Sequence, residues 1–115
     1  MIKTILASLF IFISATTSAQ TPVSPDSSKY YEGTSVTVCG KISGTYAGKN
    51  GIIKLQFGDK YPNNTFTAII FPANTSKFKT AEYYEGIEVC VTGKITMYKE
   101  KPEIELTDPK QLKEK

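Results

Sequence analysis

Val36–Ile42 (VTVCGKI) and Val89–Ile95 (VCVTGKI) are one strand motif written twice, and their reading decides the fold. Each copy follows the same four residues, Tyr30-Tyr31-Glu32-Gly33 and Tyr83-Tyr84-Glu85-Gly86. Apolar residues fall at every second position in both, which is the period of a half-buried β-strand. Two copies that do not tile the chain exclude a solenoid. The repeat instead means that two strands do the same job in one barrel. Each enters after a Gly, buries alternate Val residues, and places a second Gly where a coiled strand needs a bend or a close approach.

The copies differ where the cysteines sit. The first reads Thr37-Val38-Cys39 and the second Cys90-Val91-Thr92, so Thr and Cys have exchanged places. If the two strands pair antiparallel with Cys39 opposite Cys90, the same register sets Thr37 against Thr92, Val38 against Val91 and Lys41 against Glu88. A hydroxyl pair, an apolar pair and a charge pair are all favourable across strands. Directly opposed residues approach to about 4.5–5.5 Å at Cα, within the range a disulfide spans. A Cys39–Cys90 disulfide is therefore predicted. Closing that loop stabilises by up to about 4 kcal/mol in the chain-entropy model. With no CxxC and neither Cys at a helix N-terminus, a redox-active role is not expected.

Outward from these strands the pattern continues. Gln20–Lys29 is rich in Pro and Ser and is expected to be a flexible lead-in to a domain spanning residues 30–110. Gly44–Gly51 reads as a loop, Ile52–Gly58 as a second strand, Asp59–Asn64 as a turn and Thr65–Phe71 as a third strand. Ile53, Leu55 and Phe57 face inward, which leaves Ile52, Lys54 and Gln56 outward, with Thr65, Thr67, Ile69 and Phe71 outward on the third strand. A short helix is expected around Ser76–Ala81, anchored by Phe78. After the Val89–Ile95 strand, Tyr98–Lys101 turns the chain into a fifth strand, Pro102–Thr107, and residues 111–115 form a polar tail. All-β, five-stranded, with a short helix between strands three and four: this is the element order of an OB-fold barrel.

The N-terminus carries a different signal. Lys3 precedes an apolar run, Ile5–Ile13, and Thr17-Ser18-Ala19 offers small residues ahead of Gln20. Residues 1–19 thus read as a cleaved signal peptide, since the run is too short for a span of roughly 20 apolar residues. The mature product is expected in the periplasm or secreted, where disulfides persist, and not inserted in a membrane.

Composition narrows the chemistry. The formal net charge is +3, all of the basic residues are Lys, and there is no His and no Trp. Without Arg, bidentate reading of phosphates or guanine edges is lost. Without His the commonest general base and metal ligand is missing, and two Cys cannot build a structural zinc site. Neither an enzyme, nor a metal site, nor a cofactor is expected. The carboxylates of Glu88, Glu103, Glu105 and Asp108 read as solvated strand-edge charges.

The run Leu55-Gln56-Phe57-Gly58, with Tyr61-Pro62-Asn63, Phe66–Ile70, Val89–Ile95, Tyr98-Lys99 and Pro102-Glu103-Ile104, resembles exported bacterial proteins of the OB-fold, tRNA-anticodon-binding-like class. The resemblance covers most of residues 30–110. It implies binding of single-stranded nucleic acid across strands two and three and their flanking loops, through stacking aromatics and backbone-tracking cations. The residues that would serve are Tyr46, Lys49, Lys54, Gln56, Thr67, Phe71, Tyr98, Lys99 and Lys101, with Lys60 and Tyr61 in the nearby turn. The departure is a face with a single aromatic, Phe71. A protein, peptide or oligosaccharide ligand on the same face is the alternative.

Overall fold

The computed structural model describes residues 21–115. The signal-peptide reading of residues 1–19 lies outside the described residues. Strands β1 (Ser35–Ala47) and β4 (Glu88–Lys94) pair antiparallel, with Thr37 opposite Thr92, Val38 opposite Val91, Cys39 opposite Cys90 and Lys41 opposite Glu88. The register derived from the cysteines is that of the structure. The Cys39 and Cys90 sulfurs are bonded, with Cα atoms 4.0 Å apart. The Cys39 N–H donates to the Val23 carbonyl at 3.2 Å, away from β4. Cys39 and Cys90 are therefore a non-hydrogen-bonded pair, the closer of the two kinds of antiparallel pair.

The repeated sequence is a local two-fold relation. At one end of the β1–β4 ladder the Gly33 N–H donates to the Ile95 carbonyl (2.8 Å) and the Ile95 N–H to the Thr34 carbonyl (3.0 Å). At the other end Gly86 donates to Ile42 (2.9 Å) and Ile42 to Ile87 (3.0 Å), through the equivalent residues. Both inner glycines are sites of close approach. A Cβ on Gly40 would stand 2.9 Å from Pro25 Cγ, and one on Gly93 would stand 2.6 Å from Ile104 Cγ2.

The remaining strands are β2 (Ile53–Phe57), β3 (Phe66–Ile70), β5 (Thr96–Tyr98), β6 (Lys101–Glu105) and β7 (Leu112–Glu114). They form one seven-stranded sheet in the order β5-β6-β3-β2-β1-β4-β7, with β3 and β6 parallel and every other pair antiparallel. The all-β class stands, but the expected closed barrel of five strands does not. Ile95 is the reason. Its backbone groups are taken by Gly33 and Thr34, so the chain leaves β1 there and resumes as β5 against β6. Hydrogen bonding does not close the sheet, although its β4 and β5 regions are joined through this one residue. The core lies inside the curl, with Val38, Ile42, Leu55, Phe57, Phe66, Ile70, Val89, Val91, Ile95, Ile104 and Leu106 fully buried.

Other boundaries move for physical reasons. The expected lead-in is packed rather than loose over its described residues. Val23 bridges to Val38 on the side of β1 that β4 leaves open, and Pro25–Tyr31 forms a 3-10 helix capped by Ser24. Within it, buried Ser28 donates from Oγ to the Pro25 carbonyl at 2.8 Å. The expected polar tail pairs as β7 with β4, after a 3-10 turn at Pro109–Gln111 closed by an Asp108–Gln111 capping box. The single expected helix is two pieces, a 3-10 segment at Pro72–Lys77 and α1 (Ala81–Tyr84), with Phe78 packed against the core between them. All three 3-10 segments begin at a proline, whose fixed φ suits that position and whose missing N–H is not needed there.

Strand β1 runs on to Ala47, into the expected first loop, because it changes partner. Its first half pairs with β4 and its second with β2, and a bulge lies between Ile42 and Gly44. Ser43 sits in that bulge, with its hydroxyl within reach of the Gln56 carbonyl (3.0 Å) and the Asp59 carbonyl (2.6 Å). Such bulges sharpen the twist, which here turns the outer face of β2 and β3 into a concave surface.

Candidate ligand-binding face

Two hollows adjoin on that surface and share Lys54, Gln56 and Tyr61 as a common wall. The larger, about 570 Å³, is lined also by Gly44, Thr45, Tyr46, Lys60 and Glu85. The smaller, about 280 Å³, is lined also by Pro62, Asn64, Thr67, Tyr98, Lys99, Lys101 and Glu103. Of the residues expected from sequence, Tyr46, Lys54, Gln56, Thr67, Tyr98, Lys99 and Lys101 meet here. Lys49 and Phe71 line neither hollow. Lys49 lies beyond the end of β1 in the turn to β2, and Phe71 follows β3, where it caps the 3-10 segment that begins at Pro72.

The outward side of β2 and β3 is less open than strand alternation implies. Gln56, Thr67 and Ile69 are buried. Gln56 is covered because β1 curls over it. A Cβ on Gly44 would stand 2.9 Å from Gln56 Oε1, so the missing side chain makes room for the amide. Thr67 is covered by Asn64, whose Nδ2 donates to Thr67 Oγ1 at 2.8 Å and to the Phe66 carbonyl at 3.4 Å. Strand β6 flanks β3 on its other side, with Glu103 beside Thr67 and Glu105 beside Ile69.

The tyrosines, in contrast, stand free. Tyr46, Tyr61 and Tyr98 are 51%, 73% and 53% exposed, too much for rings packed across a loop base. Lys54 Nζ lies 5.8 Å from the Tyr46 ring centroid and Lys99 Nζ 5.4 Å from that of Tyr98. At exposed sites such contacts contribute only about 0.5–1 kcal/mol, enough to bias a side chain and not to lock it. The Lys101 ammonium donates to the Pro62 carbonyl, tying the β5–β6 turn to the turn before β3.

Two acids in the hollows were not picked out as site residues by the sequence. Glu85 accepts from the Thr45 hydroxyl at 3.2 Å on the wall of the larger hollow. Glu103 is half-buried on the floor of the smaller one, where burial pushes its carboxyl above the ordinary glutamate range and the Lys54 charge opposes that rise. The alternation of β6 carried the signal for Glu103, since Ile104 inward puts Glu103 outward. Its place beside Thr67 needed the β3–β6 pairing, which no local pattern reveals. Among the described residues, no cluster of His, Cys, Asp and Glu could hold a metal ion. No helix among them is long and apolar enough to cross a membrane.

No family model matches this chain, and no curated protein matches it. Among solved structures it is similar to a crystal structure described as an aspartyl-tRNA synthetase from Leishmania major Friedlin, with a TM-score of 0.56 at 9% identity. That likeness covers 92% of this chain and 22% of the other, so the chain spans about a fifth of that protein's length. At this identity the likeness shows the fold.

Proposed function

We propose that this chain is an exported OB-type binding module without catalytic activity, and that it holds single-stranded nucleic acid along the concave face of β2 and β3. The observation that carries the reading is the meeting of three exposed tyrosine rings, Tyr46, Tyr61 and Tyr98, with Lys54, Lys60, Lys99 and Lys101 around two adjoining hollows. Aromatic platforms set in a line of cations are what a flexible strand of stacked bases requires. The similarity to a protein named for a tRNA substrate is an analogy in the same direction. Export is supported by the Cys39–Cys90 disulfide, which suits an oxidising compartment.

A backbone neutralised by a few lysines binds weakly and salt-sensitively, with a slope set by the number of phosphate contacts. A stacked base on Tyr98 is worth about 1–3 kcal/mol by alanine substitution. Titration of single-stranded DNA and RNA at several salt concentrations tests this, with wild type, Tyr98→Ala and the pair Lys54→Ala/Lys99→Ala. Binding that ignores salt, or variants that bind like wild type, would remove the nucleic-acid reading from this face. Glu85 and Glu103 favour a second reading, an oligosaccharide or peptide ligand, because carboxylates accept from hydroxyls and amides and repel phosphate. Oligosaccharides and peptides belong in the same screen.

A further inference from the structure

The floor of the smaller hollow is built for one kind of base edge, an inference that rests on the nucleic-acid reading above. Glu103 and Thr67 sit side by side across the parallel β3–β6 pairing. When ionised, the Glu103 carboxylate offers two acceptor oxygens and no donor. Thr67 Oγ1 already accepts from Asn64 Nδ2, which leaves the hydroxyl proton to be given. Asn64 spends its Nδ2 on Thr67 and Phe66, and its Oδ1 is a buried acceptor with no partner among the described residues. On the floor itself Glu103 therefore offers two acceptor oxygens and Thr67 one donor, with the Lys54 ammonium on the adjoining wall. Tyr61 and Tyr98 flank it with exposed rings, and Lys99 and Lys101 provide cations beside it. At about 280 Å³ the space falls just below the usual range of ligand pockets, which starts at about 300 Å³, and suits a single small group.

We propose that this hollow selects a nucleobase carrying an exocyclic amine, guanine first, over uracil and thymine. Guanine presents two adjacent donors, N1–H and the N2 amine, to the two oxygens of Glu103, with O6 left to accept from the Thr67 hydroxyl. Cytosine and adenine each present one amine to Glu103 and a ring nitrogen to Thr67. Uracil and thymine present a single N–H between two carbonyl oxygens, so one carbonyl must face a carboxylate oxygen. Selection then comes as much from repulsion of the wrong base as from attraction of the right one. It needs no Arg, because the carboxylate reads donors where Arg would read acceptors.

The test uses an oligothymidylate of about nine nucleotides, within the usual site size of such domains. The same strand with one central deoxyguanosine, and with one central deoxyinosine, completes the set. The deoxyguanosine strand is expected to bind about tenfold more tightly than oligothymidylate, within the range of one bidentate pair. Deoxyinosine keeps N1–H and lacks the amine, so it should fall between them. In Glu103→Gln the three strands should bind alike. The inosine comparison needs no variant, so it stands even if a substitution disturbs folding. Equal binding of all three strands by wild type, or a guanine preference that survives in Glu103→Gln, overturns the base selectivity alone. Failure of every strand to bind overturns the nucleic-acid reading, and this inference with it.

Discussion

Thr37 and Thr92 face each other across β1 and β4 with their hydroxyl oxygens 2.8 Å apart, two rungs along the ladder from the Cys39–Cys90 disulfide. The exchange of Thr and Cys between the two copies of the repeat follows from this geometry. A two-fold axis through an antiparallel ladder places each residue opposite the mirror position of the other copy. For Cys to meet Cys and Thr to meet Thr, the order must invert from one strand to the next. The inversion turns an inherited or convergent repeat into matched cross-strand pairs.

Removing the covalent pair has a defined consequence. Cys39→Ala/Cys90→Ala should lose about 2–4 kcal/mol of stability, the usual range for a native disulfide closing a long loop. Urea denaturation of this variant, beside wild type with and without reductant, measures it. A variant as stable as oxidised wild type would show that the ladder holds without the bond.

The β5–β6 turn should be improvable. Lys99 and Glu100 both occupy the left-handed region, with φ of 50° and 68°, between paired Tyr98 and Lys101. Two-residue hairpin turns of this kind favour Asn-Gly, and a left-handed non-glycine residue costs roughly 1–2 kcal/mol. Lys99→Asn/Glu100→Gly should therefore raise the urea midpoint, by an amount corresponding to about 1–3 kcal/mol. The same variant should bind nucleic acid less well, since it removes Lys99 from the rim of the smaller hollow. Unchanged stability would mean that the turn carries no strain.

Gly93 should resist substitution. An added Cβ would meet Ile104 Cγ2 at 2.6 Å in the core, and overpacking of that kind costs about 1–3 kcal/mol. Adding Ile104→Leu to Gly93→Ala should recover part of the loss, because Leu lacks the β-branch methyl that the new Cβ would meet. Thermal melts of the single and double variants decide it, and strictly additive losses would place the clash elsewhere.

Glu103 sets a pH dependence. Burial raises its folded-state carboxyl above the unfolded value of about 4.3, with Lys54 opposing. The folded chain therefore holds that proton more tightly than the unfolded chain. The contribution to stability is full below about pH 4 and is lost as pH rises through the folded value. Glu103→Gln keeps the shape without the charge, so it should be more stable than wild type at pH 7, with the difference vanishing below about pH 4. Urea midpoints at the two pH values measure this. A less stable Glu103→Gln at pH 7 would show that attraction to Lys54 outweighs the burial.

The sequence by itself determined what depends on strand period and on one pairing. Alternating Val residues, two inner glycines and an inverted Thr–Cys order were enough for the all-β class, the β1–β4 register and the disulfide. Strand alternation also put Lys54 and Gln56 on one face of β2 and Thr67 on the outward face of β3, while Tyr98 was named only through the resemblance to OB-fold proteins. Tertiary structure alone decided how open that surface is. Gln56 and Thr67 are outward by alternation and yet buried, since the β1 curl and Asn64 cover them from elements far away or across a turn. The change of partner at Ile95, the docking of Val23 on β1 and the place of Glu103 beside Thr67 were decided in the same way. Each depends on which edge of the sheet is left unsatisfied once the other strands have paired. Local sequence fixes the face a side chain points to. Only the assembled chain fixes what stands in front of it.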